Sequence, residues 1–257
     1  MKRACLFLLL FGWLALPAQA DDFRALLNEA DSLYAKSWRN VTDPATAEAY
    51  LEAYRLCVKA VELKPESYEA NFKAVRAARM YCWILKNHLV PGYQRECTRL
   101  AREALRYGAK AVSLEPGRVE SHFWYGGCLA SYTDGISIVT AAKEGLKSKT
   151  QKAFETAYRI DPGYWDGCGA LALGEFWMVL PWPMTDKAKA RKFLEGYVRQ
   201  ARPNQDNYEE GNYSLGCLLL ESASPADKAR GRELLLKASQ GRYPYYRKVA
   251  SAALKKA

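Results

Sequence analysis

The sequence has few of the residues that enzymes and metal sites most often use. Only two residues are histidines, His88 and His122, and neither has a partner at the spacing of a metal pair or of a Ser–His–Asp arrangement. No strand is predicted, so no glycine-rich phosphate loop follows one. We therefore predict a non-enzymatic protein with no catalytic residue, no metal site and no cofactor. For His122 a packing role is favoured over a ligand role.

Long hydrophobic runs are lacking beyond the start of the chain. The apolar stretch over residues 4–16 follows a basic start and is shorter than the about 20 residues that span a bilayer. With the small residues of Ala18-Gln19-Ala20, it predicts a secretory signal peptide over 1–20, cut after Ala20. We expect a single domain over 21–257, exported to the periplasm without stable membrane insertion. The alternative is a retained membrane anchor.

Clustered charge of one sign is also absent. Lysine and arginine outnumber the acidic residues by 38 to 28, which gives a formal net charge of +10. Such an excess is compatible with nucleic acid, anionic lipid or an acidic partner. The basic residues are scattered along the predicted helices, however, and this favours a solvated surface. We predict no nucleic-acid binding.

The cysteines do not form a Cys-x-x-Cys motif. Six of the seven follow the predicted signal peptide, and their wide spacing excludes a zinc knuckle or a redox pair. Export to an oxidising compartment would let a disulfide persist. Cys82 and Cys97 lie near the facing ends of one predicted helical hairpin, and we predict a bridge between them. Buried free thiols are the alternative there and the favoured interpretation of the other four cysteines.

A recurring helix ending is the clearest feature that is present. Apolar residues at helical spacing lead to a charge and a stop proline at Pro65, Pro116 and Pro162. The intervals of 51 and 46 residues exceed the about 34 residues of an ordinary tetratricopeptide repeat. We predict an all-α, tetratricopeptide-like array of about five antiparallel helix pairs with a C-terminal capping helix. An irregular, partly helical and partly buried segment is expected over Asp134–Gly145, before a helix that begins at Lys149.

Other local signals indicate helix starts and close helix contacts. Ser67 and Asp186 are predicted to cap the helices that follow them. Tyr125-Gly126 and Leu215-Gly216 are predicted to be equivalent positions, whose small residue lets neighbouring helices approach closely.

Aromatic and charged residues recur at the positions that would line the concave face of such an array. Acidic residues stand in the first turns of the repeats, at Glu69, Glu120, Asp166 and Glu210, where stabilisation of the helix dipole is the alternative role. Core packing is the alternative for the aromatic residues. The predicted binding residues are Phe72, Arg76, Arg79, Phe123, Trp124, Asp166, Phe176, Trp177, Trp182 and Tyr213.

One of these residues lies on a turn between two helices. Trp182 stands between Pro181 and Pro183, which must end the preceding helix. The side chain is either a hydrophobic plug over the end of its hairpin or a rigid recognition element, and the plug is favoured. Trp124, Tyr164 and Trp165 are candidates to cluster with it.

Several short motifs, taken in their order and spacing, resemble one known family. They are EPGRVESHFWYG over 115–126, DGISI over 134–138, KEGLK over 143–147, IDP over 160–162, LALGEFW over 171–177 and LPWP over 180–183. Together they are similar to the T component of tripartite ATP-independent periplasmic (TRAP) transporters. The resemblance covers roughly residues 45–240 and is strongest over 115–200.

The resemblance implies a function as well as a fold. Members are tetratricopeptide-like proteins of the bacterial periplasm that associate with the solute-binding subunit of the transporter. We therefore expect a binding or scaffold protein whose partner is a periplasmic solute-binding protein, with a small apolar ligand and homo-oligomer formation as further expectations. The lipid-accepting cysteine of many members is absent here. The alternative is a generic exported tetratricopeptide adaptor for cell-envelope assembly that binds peptides or proteins.

Overall fold

The computed structural model describes the backbone of residues 15–257 and the side chains of residues 21–257. Over these residues the chain is helical throughout, without a strand, and the predicted all-α array is confirmed. The predicted signal peptide lies largely outside the described residues and stays a prediction. The helices are α1 (Ala15–Arg39), α2 (Thr46–Leu63), α3 (Tyr68–Asn87), α4 (Tyr93–Leu114), α5 (Val119–Thr133), α6 (Ile138–Lys143), α7 (Leu146–Ile160), α8 (Tyr164–Val179), α9 (Lys187–Gln200), α10 (Tyr208–Leu220), α11 (Pro225–Ser239) and α12 (Pro244–Leu254).

The helices form five antiparallel hairpins, and α12 packs on the last of them. The stop prolines act as predicted, since α2, α4 and α7 each end two residues before one. The predicted caps also form: Ser67 Oγ accepts a hydrogen bond from Ala70 N, and Asp186 Oδ1 accepts one from Lys189 N. Helix boundaries are therefore fixed largely by local sequence signals.

Glycines allow the helices of a hairpin to approach closely. A Cβ atom at Gly126 would lie 2.6 Å from the ring of Phe154, and one at Gly216 would lie 2.9 Å from Leu235. Both glycines stand on the first helix of a hairpin and face its second helix. The equivalence predicted between Tyr125-Gly126 and Leu215-Gly216 is confirmed by these contacts.

The third hairpin contains the predicted irregular segment. Short helix α6 begins after Ser137, whose Oγ accepts a hydrogen bond from Thr140 N, and none of its residues is buried. Helix α7 then begins at Leu146, after Gly145 in the left-handed conformation, whereas the sequence pattern placed its start at Lys149. The segment is more exposed than the partly buried one that was predicted.

The inner face of the array is the side on which the first helices of the hairpins, α3, α5, α8 and α10, face one another. At one end of this face the C-terminal residues fold back onto α3. The ring of Trp83 packs edge-on against Tyr243 at 5.0 Å between centroids, and Lys86 Nζ lies 3.9 Å from Glu210 Oε1. We call this region the closed end, because the chain fills it with its own side chains.

The predicted disulfide partners do lie together. Cys82 and Cys97 are buried free thiols in the structure, and the Sγ of each lies 3.8–3.9 Å from the backbone oxygen of the other. Burial, together with the neighbouring Cys97, raises the pKa of the Cys82 thiol well above its usual value. The bridge itself stays a prediction.

Candidate functional site

The end of α1 contributes two aromatic rings to the inner face. Tyr34 and Trp38 are one helical turn apart, and their rings stack at 6.4 Å with planes only 8° from parallel. The edge of Tyr34 also packs on buried Tyr50 at 5.2 Å, which fixes the pair to the first hairpin. These rings form one wall of a depression that is open to solvent.

The adjoining wall is Trp165, in the first turn of α8. Trp165, Asp166 and Gly167 all have positive φ, at 46°, 56° and 79°. This conformation is unfavourable for a residue with a bulky side chain, and such strain is frequent at functional sites. It places the Trp165 ring 5.7 Å from Trp38 and 4.9 Å from Trp124, so that α8 and α1 meet across the inner face.

Trp124 of α5 is the floor of the depression. Its side chain is 3% exposed, and its Nε1 donates a hydrogen bond of 2.9 Å to the hydroxyl of Tyr164. Phe123 supports this floor, with its ring 5.4 Å from both Trp124 and Trp165. A buried indole with a satisfied N–H is a rigid, apolar surface for a ligand.

Two arginines border the depression. The guanidinium of Arg76 lies 3.8 Å from the centroid of the Tyr34 ring and 3.4 Å from Asp31 Oδ1. Its buried Nε has no hydrogen-bond partner among the described residues. Arg39 is exposed and forms no ion pair with the described residues. The depression has a volume of about 500 Å³ and is lined by Tyr34, Ala35, Trp38, Arg39, Arg76, Trp124, Tyr164 and Trp165; we call it the aromatic pocket.

The tyrosines of the pocket remain protonated at physiological pH. Burial raises the pKa of Tyr164 to about 12, although the hydrogen bond from Trp124 opposes this shift. Burial also raises the pKa of Tyr34, with the charge of Arg76 acting in the opposite direction. The hydroxyl of Tyr164 therefore accepts from Trp124 and keeps its own proton as a donor for a ligand.

The structure brings only some of the predicted binding residues to this pocket. Arg76 and Trp124 line it, Phe123 packs behind it, and Asp166 is exposed beside Trp165. Phe72 lies next to the pocket, with Arg76 5.1 Å from its ring. The aromatic groove predicted along the whole array is thus concentrated at one end of the inner face.

The remaining predicted residues lie elsewhere. Phe176 and Trp177 are each 7% exposed and pack edge-on against one another in the core. Tyr213 packs at 6.0 Å against Tyr246 of α12. The plug interpretation of Trp182 is wrong, because its side chain is 87% exposed.

Four charged residues and a serine from three helices meet near the closed end. They are Arg79 and Lys86 of α3, Glu175 of α8, and Glu210 and Ser214 of α10. Burial and the neighbouring Glu210 raise the pKa of Glu175 to about 8, and Ser214 Oγ lies 2.7 Å from its Oε1. Burial disfavours the charge of Lys86, but the two carboxylates raise its pKa overall. The predicted acids Glu69 and Glu120 form ion pairs, with Lys73 and Arg118 respectively.

His122 packs within the third hairpin, in agreement with the packing role that was favoured for it. His122 is 6% exposed, and its Nε2 donates a hydrogen bond of 2.8 Å to the backbone oxygen of Pro116. Within the described residues there is no cluster of histidine, cysteine and acidic side chains that could hold a metal ion. No helix in that part of the chain is long and apolar enough to cross a bilayer.

The chain matches no protein-family model and no curated protein. Among solved structures it is similar to a thermophilic TPR (tetratricopeptide-repeat) protein from Thermus thermophilus, with a TM-score of 0.57. The fold is TPR-like. That likeness covers 91% of this chain and 99% of the other at 17% identity, which shows the fold alone.

Two further solved structures are more distant. The MamA protein has a TM-score of 0.47 and 15% identity, with 92% of this chain and 94% of that chain covered. A de novo designed helical repeat protein has a TM-score of 0.26 and 14% identity, covering 93% and 99% respectively. We draw no conclusion about binding from either of them.

Four aromatic residues of the pocket were missing from the predicted binding set: Tyr34, Trp38, Tyr164 and Trp165. Tyr34 and Trp38 belong to a helix whose apolar stripe indicated only packing. The position of Trp165 depends on a left-handed turn that no glycine marks at that residue. The one available signal was the predicted clustering of Trp124, Tyr164 and Trp165 with Trp182. The structure brings the first three together, but Trp182 is exposed outside the pocket.

Proposed function

We propose that this chain is a non-enzymatic binding scaffold that recognises a protein partner through the aromatic pocket. The observation that carries the proposal is the open, rigid arrangement of Trp38, Trp124 and Trp165 between α1, α5 and α8. A volume of about 500 Å³ accommodates a large apolar side chain with part of its flanking backbone. Buried tryptophans at the centre of an interface commonly dominate its binding energy.

The pocket also offers polar groups at its border. Arg39 and Arg76 can bind carbonyl or carboxylate oxygens of a bound segment, and Tyr164 keeps a hydroxyl proton to donate. We therefore expect the partner to present an aromatic or long aliphatic side chain next to backbone or acidic oxygens. A small apolar ligand with such a polar group would satisfy the same contacts.

A random peptide library selected on the wild-type protein tests this proposal. Selected peptides are expected to share a large apolar residue and to bind Trp165→Ala at least about tenfold more weakly. Trp182→Ala is the matched control, because Trp182 is exposed on a turn outside the pocket, and it should bind the peptides as the wild type does. Equal binding to Trp165→Ala and the wild type would refute recognition by the pocket.

The family resemblance suggests a more specific function. We propose that the partner is the solute-binding subunit of a TRAP transporter and that the chain acts in the periplasm after export. The support is the order and spacing of the motifs over 115–183, a segment that includes the pocket residues Trp124, Tyr164 and Trp165. The test is binding between the purified protein and a solute-binding protein encoded by a neighbouring gene.

A micromolar or tighter complex that Trp165→Ala weakens would support this more specific proposal. No transporter genes next to this one, and no complex with an extracytoplasmic binding protein, would refute it. The peptide selection would still report separately on whether the pocket recognises proteins. Failure of the transporter proposal is thereby distinguishable from failure of the scaffold proposal.

A further inference from the structure

Exposed apolar side chains are concentrated on two turns of the molecule. Seven large hydrophobic residues are exposed within the described residues, and five of them lie on the α5–α7 connection and the α8–α9 turn. Their exposed fractions range from 40% for Met184 to 87% for Trp182. The five are Ile138, Val139, Val179, Trp182 and Met184.

The two turns lie at the same edge of the array. Helix α7 packs against both α5 and α8 and runs antiparallel to them. The C-terminal ends of α5 and α8 therefore point in the same direction, and the turns that follow them are neighbours. Packed helices lie about 8–10 Å apart, so the apolar residues of the two turns lie on the same edge of the array. We call it the apolar edge.

Unpaired lysines surround the apolar edge. Lys143, Lys147, Lys149 and Lys192 are exposed and form no ion pair with any described residue. By contrast, Lys187 pairs with Glu221 at 2.6 Å. The edge therefore combines apolar side chains with an excess of positive charge, since the four unpaired lysines outnumber the two unpaired acidic residues of these turns, Asp134 and Glu144.

We propose that the apolar edge docks on the surface of an anionic phospholipid bilayer. Tryptophan and short aliphatic side chains enter the interfacial layer, and lysines beside them bind lipid phosphates. The lysines favour a bilayer over a protein partner, because lysine is depleted in protein–protein interfaces. Each lysine near an anionic surface strengthens binding to it, and added salt weakens this attraction by screening the charges.

This orientation leaves the aromatic pocket accessible. Trp165 begins α8 and Val179 ends it, so the pocket and the apolar edge are separated by roughly 20 Å along the helix. The pocket would face away from the bilayer surface, towards partners in solution. The inference is independent of which partner the pocket recognises.

Vesicle co-flotation of the full chain tests the proposal, with phosphatidylglycerol-containing vesicles and with phosphatidylcholine vesicles. The variants are Ile138→Ser/Val139→Ser, Trp182→Ser and Lys147→Glu/Lys149→Glu. The control is Leu236→Ser, which changes a 50% exposed leucine on α11. All variants share the same apolar N-terminal residues, so a difference between them reports on the edge. Circular dichroism shows that each variant is folded.

We expect the wild type to bind the anionic vesicles more tightly than the neutral ones and to lose affinity as salt is added. Each edge variant should weaken binding to anionic vesicles about tenfold or more, and Leu236→Ser should not. Equal binding by all variants, or no binding by the wild type, would overturn the proposal. So would a change in sedimentation of the edge variants without vesicles, since the edge would then join protein copies.

Discussion

The aromatic pocket and the closed end are built from similar residues on the same inner face, yet only one of them is open. At the closed end, Trp83 packs against Tyr243 and the C-terminal residues cover it. In the pocket, Trp38 and Trp165 contact one another at 5.7 Å between ring centroids, and both line a depression of about 500 Å³ that is open to solvent. The inner face is therefore filled by the chain's own side chains at the closed end and accessible at the pocket.

The difference has a physical cause in the way that each tryptophan is held. Trp83 belongs to the C-terminal half of the regular helix α3, and folding buries it to 3% exposure. Trp165 stands in a left-handed turn that costs conformational energy, and its ring remains half-buried. The first arrangement buries its ring in the core, whereas the second leaves part of its ring accessible on an open surface.

The largest effect is expected from Trp83→Ala at the closed end. Removing this buried ring should lower the free energy of unfolding by about 3–5 kcal/mol, measured by urea denaturation. Trp83→Phe is the control, because it retains most of the packing and removes a buried N–H that has no acceptor among the described residues. A loss below about 1 kcal/mol for the alanine variant would show that the C-terminal residues do not close this end.

Trp165→Ala should reduce stability less than Trp83→Ala does and should mainly weaken peptide binding. Because the side chain is only half-buried, we expect the free energy of unfolding to fall by about 1–2 kcal/mol. Binding of pocket-selected peptides, followed by calorimetry, should fall at least about tenfold. If this variant were destabilised as strongly as Trp83→Ala, Trp165 would be a core residue and the two regions would not differ.

Glu175→Gln should change how stability depends on pH. Since burial raises the pKa of Glu175 from its usual 4.5 to about 8, the folded protein retains a proton that the unfolded chain loses in this range. The free energy of unfolding of the wild type therefore falls as pH rises from 4.5 to about 8, and the decrease is complete above that value. The glutamine variant should melt higher than the wild type above about pH 8, and this advantage should shrink towards about pH 5.

The groups that face Glu175 are Glu210, Lys86, Arg79 and Ser214, and they remain in the variant. Glu155→Gln provides the control, since Glu155 is exposed on α7. Its melting temperature should follow that of the wild type at each pH. Parallel melting curves for Glu175→Gln and the wild type across this range would show that Glu175 is ionised in the folded protein.

The smallest effects are expected at the left-handed turn of the pocket. Asp166→Gly should raise the free energy of unfolding by about 0.5–1 kcal/mol, because glycine adopts the φ of 56° without strain. Gly167→Ala should lower it by about 1 kcal/mol or more, since its φ is 79° and a Cβ there would meet the side chain of Gln200. Thermal denaturation measures both changes; a decrease for Asp166→Gly would mean that its side chain stabilises the turn.

Much of the fold could be predicted from the sequence because its signals are local. The prolines at 65, 116 and 162 end their helices, and the apolar periodicity identifies the helices between them. The start of α7 was placed three residues too late, because Gly145 indicates a turn and no side chain caps the helix that begins at Leu146. The closed end was not predictable, because Trp83 and Tyr243 are far apart in sequence and come into contact only in the folded array.

The candidate site was predicted only in part for the same reason. An aromatic residue in a helix stripe indicates burial but not which neighbour it will contact. Phe176 and Trp177 are core residues, and Trp124 forms the pocket floor, although all three have similar sequence surroundings. The exposure of Trp182 shows the opposite case, a tryptophan for which burial was favoured and which faces solvent.

The most direct test of the account is fluorine NMR of the protein labelled with fluorotryptophan and titrated with a selected peptide. Tryptophan-to-phenylalanine variants assign the signals. We predict that the signals of Trp38, Trp124 and Trp165 shift on binding, while those of Trp83 and Trp177 do not. Shifts confined to Trp83 and Trp177, with the pocket signals unchanged, would contradict the proposal that the aromatic pocket is the binding site.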